Sequence, residues 1–235
     1  MDDKALYLRD SYLKVFEATA IKIGEREVVL DKTAFYPASG GQPSDTGALL
    51  DGREVYKVIS VKKIDGEIVH ELDRAGLSTG DKVKGTIDWA RRYRLMRMHT
   101  AAHLLASVFH SAEGALITGN QLDLEKSRID FSLEEFDRER IEAGVAEANK
   151  IIKKNAPVKV YWIDKEEALK DRELFKLAAG FKHDLEKIRI VEIEGVDRQA
   201  DGGTHVSSLS EIGKIEFLKV ENKGKSNRRV YFTVN

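Results

Sequence analysis

Apolar and polar residues alternate over short runs in the first part of the chain. Several runs are rich in β-branched and aromatic residues or read as short strands: YLKVFEATAIKI, REVVLDKTAFYP, GALLDG, EVYKVISVKKIDGEIVHEL and DKVKGTIDW. Turn-forming pairs such as Asp51-Gly52 and Asp65-Gly66 separate them. Short strands at this spacing predict a small β-barrel domain over residues 1–88.

The periodicity changes at Trp89, where apolar residues begin to recur at helical spacing and continue up to Gly114. The capping-box spacing of Ser132 and Glu135 predicts a second helix over residues 133–155, and KEEALKDRELFKLAAG predicts a third over residues 165–180. Strands are predicted around SRIDFSL, VKVYWI, KIRIVEI, GKIEFLKVEN and RRVYFTV. Because these elements lack a βαβ rhythm, residues 89–235 are predicted to form an α+β domain with an antiparallel sheet and long helices.

Composition narrows the possible functions. Hydrophobic residues make up 42% of the chain, enough for a packed core, and the net charge of −1 gives no global attraction to polyanions. The chain has no cysteine, which excludes disulfides and thiolate chemistry. It shows neither a signal peptide nor an apolar run long enough to span a membrane, so a cytoplasmic location is expected.

Two histidines on the long helix are candidate metal ligands. His99 and His103 are four residues apart, so their imidazoles lie one turn apart on one helix face. Buried histidines with ordinary hydrogen bonds would give the same pattern. The other histidines, at positions 70, 110 and 183, are expected to be structural or solvated.

A second pair of candidate ligands follows about a hundred residues downstream, in RQADGGTHV. Asp201 and His205 flank Gly202-Gly203, which disfavour a helix and allow a tight loop to turn both side chains inward. The alternative is a plain turn between strands. Together the two pairs predict a metal site.

Thr100 stands where a zinc peptidase would carry its glutamate base. Without that base, an activated ester is a more plausible target than an amide.

Two other features are unusual. The loop AFYPASGGQPSDTG contains Gly40-Gly41, whose backbone can approach another surface closely, although an ordinary hairpin loop would have a similar composition. Basic residues cluster before His99 and around the last turn, where they suit a phosphate backbone or simply form a solvated face. They are Arg91, Arg92, Arg94, Arg97, Lys219, Lys223, Lys225, Arg228 and Arg229.

The combination of HTAAH, a downstream xGGTH element and FYPASGGQPSDTG resembles the editing domain of alanyl-tRNA synthetases. It also resembles the free-standing alanyl-tRNA editing proteins of the AlaX type, and GKSNRRVYF is similar to that family's closing strand. The resemblance covers nearly the whole chain. The length is that of the medium-length free-standing type, with an N-terminal barrel and a C-terminal editing domain.

The resemblance implies hydrolysis, in trans, of tRNA(Ala) that is wrongly charged, mainly with serine and secondarily with glycine. It implies one Zn²⁺ held by His99, His103 and His205, with Asp201 at a position where many members have cysteine. Asp201 is expected to be the fourth ligand or a near-ligand bound through water. Gly40 and Gly41 are expected to shape amino-acid discrimination. The other candidates for binding the amino acid are Thr118, Asn120 and Gln121, and the basic residues Arg91, Arg92, Arg94, Arg97, Lys223, Lys225, Arg228 and Arg229 are candidates for tRNA binding.

Two other functions fit the same residues. One is a metal-dependent esterase that acts on small molecules, whose activity RNA would not inhibit. The other is a non-catalytic tRNA-binding module with a degenerate metal site, for which the carboxylate at Asp201 would be the sign. The presence of all three histidines favours an enzyme over the binding module.

Overall fold

The computed structural model describes residues 4–134, 138–176 and 186–235. The chain divides into two compact units, of which one runs to Arg94 and the other begins at Leu95. The division falls within helix α1 (Trp89–Glu113). None of the helices in the described ranges combines the length and the apolarity needed to cross a membrane.

The first unit is a closed barrel of antiparallel strands in the order β1-β2-β5-β4-β3-β6, which confirms the predicted small barrel. Alternate residues of a strand face opposite sides, so β6 buries Val83 and Ile87 and exposes Lys82, Lys84 and Thr86. Phe16, Phe35 and Leu49 are part of the core. The strands are β1 (Val15–Ile23), β2 (Glu27–Leu30), β3 (Gly47–Leu50), β4 (Val55–Ile64), β5 (Glu67–Leu72) and β6 (Lys82–Ile87).

The second unit contains two antiparallel sheets, with strand orders β11-β10-β9 and β12-β13-β8-β7, and helix α2 (Arg138–Ile152) packs against β12. The predicted α+β class is thereby confirmed. The strands are β7 (Ile117–Gln121), β8 (Ser127–Phe131), β9 (Val158–Asp164), β10 (Lys187–Ile193), β11 (Asp197–Ala200), β12 (Ile215–Asn222) and β13 (Arg228–Val234). Short 3₁₀ turns cover Leu6–Leu8, Arg172–Leu174 and Leu209–Ile212.

Helix α1 is buried on nearly every side from Leu95 to Phe109, because Met96, Ala101 and Leu104 are buried as well as the residues on the predicted apolar face. A helix of this kind is surrounded by protein rather than lying on a surface. A histidine on this part of α1 is therefore held inside the unit.

The predicted helix over residues 165–180 is wrong within the described residues. Helix α3 covers only Lys165–Ala168, and the 3₁₀ turn follows. The cause is Asp171, whose carboxylate accepts the backbone N–H of Glu173, a local bond that competes with helix propagation. The predicted end at Gly180 lies outside the described residues.

The predicted start of α2 also differs. Ser132 does not act there as a cap, because its hydroxyl accepts the backbone N–H of Leu116. The partner proposed for it in the capping box, Glu135, lies outside the described residues. Two strands escaped prediction, β7 because Gly119 and Asn120 are poor strand formers, and β11 because DRQA is mostly polar.

Candidate metal centre

Helix α1 carries two of the four candidate ligands. His99 and His103 are 5% and 6% exposed, so the helical spacing does bring two imidazoles together in the interior. Their ring centroids are 5.1 Å apart. Thr100 follows His99 in the sequence and is fully buried. Its hydroxyl lies at hydrogen-bond distance, 3.0 Å, from the backbone oxygen of Met96.

The loop after β11 carries the other two ligands. Ala200 pairs with Ile190 of β10, and the next residue, Asp201, is fixed through its backbone: its N–H donates to the oxygen of Arg189, and the Arg189 guanidinium donates to the oxygen of Asp201 at 2.8 Å. Further on, the N–H of Val206 donates to the Thr100 hydroxyl at 3.2 Å. The loop is thus tied to both β10 and α1.

All four predicted ligands meet. One ligand atom from each of His99, His103, Asp201 and His205 lies within 4.8 Å of the others. The distance from Nε2 to a carboxylate oxygen of Asp201 is 3.6 Å for His99, 3.8 Å for His103 and 3.0 Å for His205. Ligands of a tetrahedral zinc site, about 2.0–2.1 Å from the metal, are about 3.3 Å from one another.

Gly203 makes this close arrangement possible. A Cβ on Gly203 would lie 2.2 Å from Cε1 and 2.4 Å from Nδ1 of His99, closer than any side chain permits. Its N–H donates to Oδ2 of Asp201 at 2.5 Å, which orients the carboxylate. Gly202 has open space around it, so the two glycines have different roles.

Both ring nitrogens of His205 have contacts. Nδ1 lies 3.1 Å from the Thr100 hydroxyl, which also contacts the backbone oxygen of Met96, and Nε2 lies 3.0 Å from Oδ2 of Asp201. With the ring proton on Nδ1, a lone pair of Nε2 points toward the carboxylate, where the two atoms can share a cation. Three imidazoles and one carboxylate are ordinary zinc donors, so the donor set fits a metal ion.

The charges of the centre support the same conclusion. Burial lowers the pKa of His99 to about 4, although the Asp201 carboxylate works in the opposite direction, and burial also lowers the pKa of His205 well below its ordinary value. Burial alone would raise the pKa of Asp201, but the surrounding imidazoles, His99 foremost, hold that pKa well below its usual range. The Arg189 guanidinium lies 3.9 Å from Oδ2 of Asp201 and is a cationic neighbour of the carboxylate, while unprotonated His99 and His205 rings can act as ligands for a divalent cation.

Sequence reasoning missed the contributions of Thr100 and Arg189. Thr100 was considered only as the absence of a glutamate base, whereas it orients His205 and the loop. Arg189 is 7% exposed in a strand predicted from its apolar residues. An arginine inside such a strand was the available signal, because a buried charge needs a partner.

The glycine-rich loop lies in the first unit. Gly40 and Gly41 have φ angles of +56° and +84°, and Ser39 and Gln42 exchange two backbone hydrogen bonds across them, as in a two-residue hairpin turn. Asp45, at the end of the loop, is fully buried. The role of Gly40 and Gly41 in discrimination stays a prediction.

The prediction that Arg92 contacts tRNA is corrected by its burial. Arg92 is fully buried, and its guanidinium donates to both carboxylate oxygens of Asp45 and to the backbone oxygens of Ser11 and Ala34. It has no surface to offer a phosphate. Arg92 instead links the first turn of α1 to the barrel. One of its partners, Asp45, stands at the end of the glycine-rich loop.

Arg228 is corrected in the same way, since it is 4% exposed and donates to the backbone oxygens of Glu134 and Gly224. The other predicted tRNA contacts reach the surface to different degrees. Arg229 is half-buried and forms two hydrogen bonds with Asp130. Arg91, Arg94 and Arg97 are half-buried, and Lys223 and Lys225 are exposed.

Strand β7 carries the predicted amino-acid-binding residues. Thr118 is exposed and donates to the side-chain oxygen of Asn227 at 2.9 Å, Asn120 is half-buried, and Gln121 accepts from Arg128. Their role stays a prediction.

Two of the remaining histidines lie in the described ranges, and each contacts groups outside the four-ligand cluster. His70 lies in the barrel core, bound to Thr33 and to the backbone of Val28, and His110 contacts Glu173. Both arrangements agree with structural roles. His183 lies outside the described residues.

Comparisons with known proteins agree with this picture. A family model described as "tRNA synthetases class II (A)" matches residues 5–91, and one described as "Threonyl and Alanyl tRNA synthetase second additional domain" matches residues 188–231. The chain is 38% identical over 236 residues to the alanine–tRNA ligase of Pyrococcus furiosus, with 98% of this chain but 26% of the ligase covered.

Shorter relatives match from end to end. The alanyl-tRNA editing protein AlaX-M of Methanosarcina barkeri is 52% identical over 240 residues, with 98% of each chain covered. AlaX-M of Saccharolobus solfataricus is 48% identical over 232 residues, with 97% of this chain and 98% of the relative covered. The resemblance identified from the motifs is confirmed: the chain belongs to the AlaX-M family of alanyl-tRNA editing proteins.

Proposed function

We propose that this chain hydrolyses, in trans, the ester that joins a wrong amino acid to the 3′ end of tRNA(Ala), mainly serine and secondarily glycine. The relatives' name, alanyl-tRNA editing protein, supports the reaction class. The need follows from physical chemistry. A pocket for alanine rejects a residue that differs by one hydroxyl or one methyl only weakly, so a second, hydrolytic site is required.

The observation that carries the proposal is the convergence of three imidazole Nε2 atoms on the Asp201 carboxylate. His99, His103, Asp201 and His205 would hold one Zn²⁺ per chain. Bound there, zinc would supply Lewis-acid polarisation of the ester carbonyl or a water of lowered pKa. Three nitrogens and a carboxylate oxygen are ordinary zinc donors, although a carboxylate selects less strongly than a thiolate against harder ions.

The ligands differ in their access to solvent. The side chain of Asp201 is 21% exposed, whereas those of the three histidines are at most 8% exposed. The ester and the attacking water would therefore approach beside Asp201. Because its pKa is held well below the usual range, Asp201 is a carboxylate at neutral pH and can serve as the fourth ligand or hold a water. Thr100 and Gly203 keep His205 and His99 in place.

The amino acid and the tRNA would be bound by other groups. We assign the choice of amino acid to Gly40, Gly41 and the β7 residues Thr118, Asn120 and Gln121. Phosphates of the acceptor stem would bind the predicted basic residues that reach the surface, which are Arg91, Arg94, Arg97, Lys223, Lys225 and Arg229.

The test compares deacylation of seryl-tRNA(Ala), glycyl-tRNA(Ala) and alanyl-tRNA(Ala) by metal-stripped and by zinc-restored protein. Zinc-dependent release of serine, with alanine retained, is expected. Tight tRNA binding without release would overturn the proposal in favour of a binding module. Release from small esters that excess tRNA does not inhibit would point instead to a general esterase.

A further inference from the structure

His103 has one ring nitrogen without a hydrogen bond. Its Nε2 faces Oδ1 of Asp201 at 3.8 Å, but Nδ1, on the other side of the ring, is buried and has no hydrogen-bond partner among the described residues. Buried polar atoms nearly always have one, so this atom requires an explanation. Oδ2 of Asp197 lies 3.8 Å from it.

Asp197 is itself in an unusual position. Its side chain is completely buried at the first residue of β11, where Asp197 pairs with Ile193 of β10. Lys176, whose side chain is 8% exposed, donates from Nζ to Oδ1, and Gln199 donates from Nε2 to Oδ2 at 2.8 Å. A carboxylate accepts about four hydrogen bonds, so Oδ2 retains the capacity to accept another.

A buried ion pair is an expensive way to stabilise a fold, because both charges lose their hydration. The pair between Lys176 and Asp197 sits next to His103 and on the same short strand that leads to Asp201. Lys176 neutralises the carboxylate, and Gln199 fixes its orientation. The arrangement holds a carboxylate oxygen ready beside a single imidazole nitrogen.

We infer that Asp197 is a positioning residue for the proposed metal centre, on which this inference rests. Asp197 takes the Nδ1–H of His103, and the lone pair of that ring is thereby fixed on Nε2, toward Asp201. A shift of about 0.8 Å brings the two atoms to normal hydrogen-bond distance. His205 has the corresponding arrangement, with Thr100 at Nδ1 and Asp201 at Nε2. A carboxylate behind a histidine ligand orients the ring and makes it a stronger donor.

Asp197→Asn tests the inference, because an asparagine amide can donate to Nδ1 and so move the ring proton to Nε2. The first measurement is the tautomer of His103, read from long-range ¹H–¹⁵N correlations in metal-free, histidine-labelled protein. The second is the dissociation constant for zinc, measured by competition with a chromophoric chelator. The wild type is expected to carry the proton on Nδ1. The variant is expected to lose that tautomer and to bind zinc about 10–100-fold more weakly.

Two further variants keep the test interpretable. Asp197→Asn combined with Lys176→Met removes the ammonium that the single change would leave buried and unpaired, and is used if the single variant does not fold. Asp164→Asn, at a carboxylate that is 74% exposed and pairs with Lys187, is the matched control and should change neither measurement.

Retention of the Nδ1–H tautomer in the folded Asp197 variant overturns the inference, whatever the zinc affinity. A wild type that binds no zinc would overturn the proposed function instead. In that case the tautomers of the metal-free proteins still decide the role of Asp197, so the two failures are distinguishable.

Discussion

The two units both bury polar and charged side chains, but they satisfy them differently. In the barrel, Arg92 donates to Asp45 and to two backbone oxygens, and both ring nitrogens of His70 have partners. In the second unit, Nδ1 of His103 has no hydrogen-bond partner within the described residues, and the Nε2 atoms of three histidines converge on the single carboxylate of Asp201.

The difference separates structural from functional burial. A buried polar group whose hydrogen bonds are all made within the chain can be explained by its contribution to the fold, without any ligand. Three buried imidazoles gathered around one carboxylate are held there by the rest of the fold. Such a cluster indicates a cation, and four changes would break or sharpen the contrast.

The largest effect is expected from His103→Gln. Loss of one imidazole should empty the zinc site and lower seryl-tRNA(Ala) deacylation by about four orders of magnitude, or about 5 kcal/mol. The metal-free protein should keep its free energy of unfolding to within about 1 kcal/mol, because a neutral side chain of similar size replaces the imidazole. Zinc content by mass spectrometry and single-turnover rates check this. A variant with full zinc content would contradict the assignment of His103 as a ligand.

Asp45→Ala should act on stability and leave the metal centre alone. It leaves the Arg92 guanidinium buried without its carboxylate, which should lower the free energy of unfolding by about 3–5 kcal/mol. Urea denaturation measures the loss. Glu54→Ala, which breaks the exposed pair with Arg74 in the same unit, should cost less than about 1 kcal/mol. Equal losses in the two variants would remove the distinction drawn for the barrel.

His70 should make the stability of the metal-free protein depend on pH. Burial lowers its pKa to about 4 in the folded protein, against 6.5 for an ordinary histidine, so the unfolded chain binds the proton first as the pH falls. The free energy of unfolding is therefore unaffected by His70 protonation above pH 6.5. About 3 kcal/mol of that free energy should be lost as the pH falls from 6.5 to about 4. The difference between wild type and His70→Gln in urea titrations at several pH values isolates this term. An unchanged pH dependence in the variant would show that His70 does not contribute.

The smallest effect is expected from Gly203→Ala, with Gly202→Ala as its matched control. The new Cβ would collide with the His99 ring and displace it, at about 1–3 kcal/mol, so zinc should bind about 10–100-fold more weakly. The same methyl group at Gly202 would meet open space. Chelator competition compares the two affinities, and a similar result for both would show that Gly203 does not set the position of His99.

The barrel and the four converging residues could be predicted from the sequence because each depends on a pattern of neighbouring residues. Alternation over short runs predicts strands, and a spacing of four residues on a helix places His99 beside His103. Asp201 and His205 could be added because a glycine pair marks a turn, whatever lies around it.

The rest depended on distant partners that no local pattern reveals. Arg92 stands in a run of arginines that resembles a surface patch, but Asp45, 47 positions away, meets it in the interior. Strand β11 exists because β10 pairs with it, not because of its own polar residues. Asp197 could not be distinguished from any other carboxylate until Lys176 and His103 were found beside it.

The carboxylate at position 201 also has a consequence for redox chemistry. A centre built from imidazoles and a carboxylate contains no sulfur atom, and the chain has no cysteine elsewhere. Peroxide has no thiolate there to convert to sulfenic or sulfonic acid, and alkylating agents specific for thiols have no target. Correction of mischarged tRNA by such a centre would continue under oxidative stress, when a thiolate-ligated site would lose its metal.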